Sequence, residues 1–205
     1  DVIRHASRWH LSEDARRVYS ALLMTLKGTV CLYQGDELGL TEAYVAYEDL
    51  QDPYGKRFWP KFKGRDGCRT PMPWVADAPH GAFSEAKPWL PMAMEHLPMA
   101  VSAQDGDPAS MLNFTRAFIA FRRDHPALAK GDMDILEASG DGISFTRSHG
   151  NMQVFCAFNL SDVERRMAMP EGTWSLDGDT PFNAHLDGDT LVLPPWQAAF
   201  TISGN

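Results

Sequence analysis

Two short stretches hold the residues whose types and spacing best suit gripping a polar ligand. The first is Asp1-Val2-Ile3-Arg4, followed by Arg8-Trp9. The second is Gly64-Arg65-Asp66-Gly67-Cys68-Arg69-Thr70-Pro71-Met72-Pro73-Trp74. An ionised carboxylate such as Asp1 only accepts hydrogen bonds, so it pairs with hydroxyl or N–H donors. A guanidinium is planar with five donors, so Arg69 or Arg65 can hold an acid and a hydroxyl at once, which a lysine does less well. Structural readings stand beside these. A carboxylate at position 1 can simply be solvated. Asp66 can pair with Arg65 or Arg69 to tie down a loop, and Arg4 can brace a site floor or form a structural ion pair.

Further acids lie close by in sequence: Glu37 in Gly35-Asp36-Glu37-Leu38, then Glu48, Asp49 and Asp52. They can edge a binding site, but such acids more often cap helices or satisfy loop amides, and that is the expectation. The seven histidines are scattered without ligand spacing. No metal or other cofactor is implicated. Trp59, Trp74 and Trp89 are each expected to pack within loops rather than to serve as binding platforms.

The elements that must position these residues show in the apolar pattern. Ser12 can cap a helix over 13–27, with Glu13 and Asp14 in its first turn and Gly28 ending it. Ala15, Val18, Tyr19, Leu22, Leu23 and Leu26 recur at helical spacing and predict one apolar face. Val30-Cys31-Leu32-Tyr33 is apolar throughout, as in a strand buried on both sides of a parallel sheet. Helix followed by buried strand is half of a repeating α/β unit. Residues 41–107 are expected to be irregular, punctuated by eight prolines from Pro53 to Pro98. A loop of that length is uncommon unless it is functional.

Asp107-Pro108 predicts the start of a second helix with Pro at its first position. Met111, Phe114, Phe118 and Phe121 mark its buried face, and His125-Pro126 ends it. From about position 131 the period becomes two. Met152, Val154, Cys156, Phe158 and Leu160 alternate with Gln153, Phe155, Ala157 and Asn159, and turns such as Asp141-Gly142 and Asp187-Gly188 separate the segments. That pattern predicts a small antiparallel sandwich.

Hydrophobic residues make up 44% and charged residues 22% of 205 positions. These are ordinary globular values, enough for one domain or two small ones. A net charge of −8 without a Lys/Arg run argues against a nucleic-acid partner. No stretch approaches about 18 consecutive apolar residues, so no membrane partner is expected. Cys31, Cys68 and Cys156 show neither metal spacing nor a disulfide framework, which favours a reducing, cytoplasmic setting.

Several of these stretches together resemble one family. Thr29-Val30-Cys31-Leu32-Tyr33-Gln34-Gly35-Asp36-Glu37-Leu38-Gly39-Leu40 and the 64–74 motif are similar to late-barrel signatures of the α-glucosidase branch of glycoside hydrolase family 13, in the α-amylase superfamily. Asp1-Val2-Ile3-Arg4 with Arg8-Trp9 matches that family's Asn-His-Asp-Val-x-Arg segment from its Asp onward. Phe121-Arg122-Arg123-Asp124-His125-Pro126-Ala127-Leu128 resembles its last barrel helix and exit. The resemblance covers essentially the whole chain and implies an α/β plus all-β fold. Residues 1–127 would be the C-terminal part of a catalytic (β/α)8 TIM barrel, with the loop region 41–107. Residues 128–205 would be a small antiparallel β-sandwich domain.

The resemblance also implies a hydrolase: a retaining α-glucosidase cutting α-glucosidic bonds at the non-reducing end of small oligosaccharides by double displacement. In that family the counterpart of Asp1 is neither nucleophile nor acid. It holds sugar hydroxyls at the reacting subsite and favours the oxocarbenium-like transition state. An arginine of the 64–74 motif works at the same subsite. Arg69, beside Thr70-Pro71-Met72, is assigned that role with Arg65 as the alternative, and Arg4 is a third substrate-site candidate. Asp1 and Arg69 are therefore expected within roughly 10 Å of each other, where barrel strands end.

The family's nucleophile and acid/base belong to earlier strands. The chain is thus expected to be the C-terminal part of a larger enzyme, inactive alone. Its partners would be an oligosaccharide substrate and the remainder of its own barrel. A sucrose or maltose isomerase or transglucosylase on the same scaffold is the near rival. A non-catalytic carbohydrate-binding module, working through the sandwich, is the distant one.

Overall fold

The computed structural model describes residues 3–178 and 180–203. Among these, the helices are α1 (His5–Arg8), α2 (Glu13–Thr25), α3 (Pro53–Phe58), α4 (Val101–Gln104), α5 (Met111–Asp124) and α6 (Pro126–Lys130). The strands are β1 (Asp132–Ser139), β2 (Gly142–His149), β3 (Met152–Asn159), β4 (Arg165–Ala168), β5 (Trp174–Leu176), β6 (His185–Asp187), β7 (Thr190–Leu193) and β8 (Ala198–Ser203). Two compact units result. One joins the residues up to Ser12 with Leu32–Asn113; the other joins Glu13–Cys31 with the residues from Phe114 onward. No helix among the described residues is long and apolar enough to cross a membrane.

In the second unit every strand pairing is antiparallel, with orders β1-β2-β3-β8-β5 and β4-β7-β6. The period of two over 152–160 becomes β3, but from Val154 onward both of its faces are buried. On one face Phe155, Ala157 and Ala199 share a core with Met167, Leu191 and Leu193 of the smaller sheet. On the other, Phe158 and Phe200 meet edge to face at 5.7 Å between ring centroids. Phe200 also lies 5.3 Å from Phe118 and 5.4 Å from Phe121, so the aromatic stripe of α5 covers that side. Such clusters of rings remove large apolar area from water and hold most of the folding free energy of a small unit.

Helix α2 forms where its pattern predicts, with a different face buried. Ala15, Val18, Ala21, Met24 and Thr25 are buried, while Leu23 and Leu26 are exposed. Its C-terminal carbonyls, which lack intrahelical partners, are taken by two arginines. Arg122 donates to the carbonyls of Met24 and Gly28. Arg147, fully buried, donates to the carbonyls of Thr25, Gly131 and Asp132. Cations at this end also complement the helix dipole.

The first unit is mostly irregular. The strand expected at Val30-Cys31-Leu32-Tyr33 is absent: the segment carries no ladder and Cys31 is exposed. A parallel strand exists only beside another, and no strand among the described residues pairs with this one. Two small apolar nuclei order the loops instead. Leu38, Leu40 and Leu112 pack with Met72, Met99 and Val101; Val45, Leu50 and Leu90 pack with Trp59. Helix α5 starts at Met111, three residues later than Asp107-Pro108 predicts. Ser110 takes the cap, its Oγ accepting from Asn113 N at 3.2 Å, while Asp107 Oδ1 accepts from Ala109 N at 2.9 Å in the preceding turn.

Candidate functional site

The motif segments meet at Arg4, which is only 4% exposed. Its Nη1 lies 3.2 Å from Asp36 Oδ1 and its Nη2 donates to the Cys68 carbonyl at 3.2 Å. The guanidinium also sits 5.2 Å from the ring centroid of Tyr33, a cation over an aromatic face. Gly35 makes room for it. At φ +91° only glycine is unstrained there, and a Cβ would fall 2.9 Å from Arg4 Nη2 and 2.7 Å from Leu40 Cδ1. One buried side chain thus ties the start of the chain to the Tyr33–Asp36 turn and to the 64–74 motif.

The 64–74 motif is held by two stacked carboxylates. Asp66 is fully buried; its Oδ2 accepts from Gln51 N at 2.6 Å and Asp52 N at 2.8 Å, and its Oδ1 faces Arg69 Nη1 at 3.6 Å. Asp52 caps α3, its Oδ1 accepting from Tyr54 N at 3.0 Å. Its Oδ2 accepts from both the backbone N–H and Nε of Arg65, at 2.9 and 3.1 Å. Burial alone would push the Asp52 carboxyl up, but these bonds hold it below the usual carboxylate range.

The two arginines of the motif therefore part company. Arg65 is engaged with Asp52. Arg69 pairs with Asp66 and acts electrostatically, with Arg4, on Tyr33 and Cys68. Asp1 lies outside the described residues, and so does its separation from Arg69.

Burial pushes the Tyr33 phenol up, with Cys68 adding to the shift and Arg4 and Arg69 opposing it. Burial likewise pushes the Cys68 thiol up, with the Glu42 carboxylate adding to it. Around Arg4 and Tyr33 opens a cavity of about 310 Å³, whose walls include Ile3, His5, Trp9 and Asp36. Arg4, Arg8, Asp36 and Tyr33 place hydrogen-bonding groups on this cavity beside the Trp9 ring, a mix of polar and aromatic lining found in small-molecule pockets.

Glu37 Oε2 accepts from Gly35 N at 2.8 Å and so closes the turn. Trp59 packs in a loop nucleus and against Tyr47, whereas Trp74 and Trp89 are exposed at 48% and 67%. Sequence reasoning assigned no role to Tyr33, Asp36 or Glu42. Asp36 carried a signal, as the acid beside the Gly35 turn; Glu42, a lone acid in an irregular segment, carried none.

Comparison with known proteins places the chain in a family. A family model described as the α-amylase catalytic domain matches residues 1–131. A probable α-glucosidase of Rhizobium meliloti (strain 1021) is 51% identical over 205 residues, covering 98% of this chain and 37% of that protein. A probable oligo-1,6-glucosidase 3 of Bacillus subtilis (strain 168) is 30% identical, covering 97% of this chain and 40% of its own length. The crystal structure of the α-glucosyl transfer enzyme XgtA superposes with a TM-score of 0.92 at 44% identity, over 100% of this chain and 39% of that one. The chain thus spans about two fifths of the length of these relatives.

Proposed function

The chain belongs to the α-amylase catalytic-domain family, and from that premise we propose that it is the C-terminal part of a retaining α-glucosidase acting on small oligosaccharides. Residues 1–127 complete a (β/α)8 barrel whose loop region 41–107 borders the active site, and residues 128–205 form the sandwich domain. The observation that carries this reading is the buried Arg4, which draws three motif segments to one place beside a cavity. The names of the relatives supply the substrate class.

In this reading Asp1 accepts hydrogen bonds from the hydroxyls of the reacting glucose, and those bonds strengthen as positive charge develops. Arg69, held by Asp66, orients the same sugar; Arg65 is the poorer candidate because Asp52 engages it. Arg4 braces the floor. The nucleophile and acid/base, with carboxyl groups roughly 5–5.5 Å apart, come from the part of the protein that this chain does not span. The remainder of that barrel is the chain's partner. The three free cysteines fit a cytoplasmic setting.

Transfer of the glucosyl group to a sugar, rather than to water, is the second reading, favoured by the likeness to XgtA. Two assays test them. The full-length protein should release p-nitrophenol from p-nitrophenyl α-glucoside, and residues 1–205 alone should not. Turnover by the isolated chain, or none by the full-length protein, overturns the reading. Disaccharide products formed from maltose or sucrose would place the enzyme among the transferases.

A further inference from the structure

Glu42 lies between the two segments that carry the site candidates and touches both. Its Oε2 accepts from the backbone N–H of Arg4 at 3.2 Å, although 38 positions separate them. Its own N–H donates to Ser7 Oγ at 2.7 Å. On the other side it meets the 64–74 motif at Gly67. A Cβ there would fall 2.5 Å from Glu42 Oε1 and 2.4 Å from the Ala43 carbonyl, and Ala43 N donates to the Gly67 carbonyl at 3.1 Å. The glycine is thus the space the carboxylate occupies.

We propose that Glu42 is a positioning residue, which fixes the spacing between Arg4 and the arginine motif that presents Arg69. The proposal rests on the reading of Asp1 and Arg69 as one sugar subsite. Asp1 is three residues before the amide that Glu42 holds, and Arg69 is two after the glycine that it fills. Loss of the acceptor frees one end of that frame. Burial raises the carboxyl, with the Arg4 amide and charge opposing the rise, as expected of an acid enclosed between two backbone segments. A small misplacement of transition-state contacts costs turnover more than ground-state binding.

The test is steady-state kinetics of the full-length enzyme, normalised to active sites by a covalent inhibitor. E42M keeps length and volume and removes both acceptors; E42Q keeps an acceptor oxygen at the same reach. The expected result is a fall of about tenfold to a hundredfold in kcat for E42M, with KM changed less. E42Q should recover to within about threefold of the parent. E42M activity within threefold of the parent overturns the proposal, as does an equal loss in E42Q and E42M. D1N serves as the control: if it too is fully active, the subsite reading fails, whereas an inactive D1N beside an active E42M sinks only the role of Glu42. Should E42M not accumulate, G67A tests the same spacing from the opposite side, and unchanged kcat in G67A overturns the proposal.

Discussion

Arg4 and Asp36 form an ion pair withdrawn from water, 3.2 Å between Nη1 and Oδ1 with side chains 2% and 14% exposed. Desolvating both charges offsets much of their attraction, so the pair matters less for net stability than for what happens when it is broken. D36A removes the paired carboxylate and leaves the buried Arg4 charge beside the Cys68 carbonyl and the Tyr33 ring, with the Glu42 carboxylate acting on it less directly. Urea unfolding of the full-length protein should show a loss of about 3–5 kcal/mol. The double replacement R4M/D36L should lose less than D36A alone.

Arg147 makes a second prediction, confined to the other unit. Its three hydrogen bonds among the described residues all go to backbone carbonyls, at the end of α2 and at the entry to β1. R147M leaves those acceptors unmet in a dry site, at a cost of about 1–3 kcal/mol for each acceptor that water cannot reach. R147K keeps the charge but cannot fork to three acceptors, so its melting temperature should fall between those of the parent and R147M.

His96 supplies a pH dependence. It is fully buried, its Nε2 lies 2.9 Å from the Thr41 carbonyl, and its Nδ1 has no hydrogen-bond partner among the described residues. Burial pushes its imidazole below the ordinary value of 6.5; Glu95 and the Thr41 bond oppose this, and Arg4 adds to it. The folded protein therefore binds the proton less readily than the unfolded chain does. Stability from this group is complete above pH 6.5 and is lost as pH falls from there through the lower folded value. Thermal unfolding of the parent should weaken across that window more steeply than that of H96Q. Parallel curves for the two would show that His96 is not the group responsible.

Much of the second unit was legible in the sequence because its signals are local and repeated. The alternation over 152–160 could become little but a strand, and Phe114, Phe118 and Phe121 could share only one helix face. What composition could not show was that β3 is covered on both sides, since Phe155 and Ala157 looked like the outer face until the smaller sheet packed there. The α2 pattern misled for a related reason. Leucine counts as apolar wherever it falls, yet Ala21 and Met24, outside the predicted stripe, are buried while Leu23 and Leu26 are exposed. Four apolar residues at 30–33 suggested a strand, but a strand is a property of a pair.

The candidate site was half legible. Arg4, Arg65 and Arg69 were marked by their type and spacing, and the Asp66–Arg69 pair was among the readings left open. That Arg65 turns to Asp52 was not visible, because Asp52 first had to be brought under the motif by the α3 cap and by Gly55 and Gly64. Glu42 was invisible altogether. Its partner is a backbone amide, and every residue but proline has one.

The account turns on which arginine of the 64–74 motif serves the sugar. The most direct measurement is kcat/KM of full-length R69A and R65A on p-nitrophenyl α-glucoside, corrected for the folded fraction. R69A should lose about a hundredfold or more, as when a preorganised donor is removed from a transition state. R65A should lower the melting temperature, by loosening the Asp52 knot, and leave kcat/KM within about threefold of the parent. R69A within threefold of the parent, or a larger loss in R65A than in R69A, would contradict the assignment.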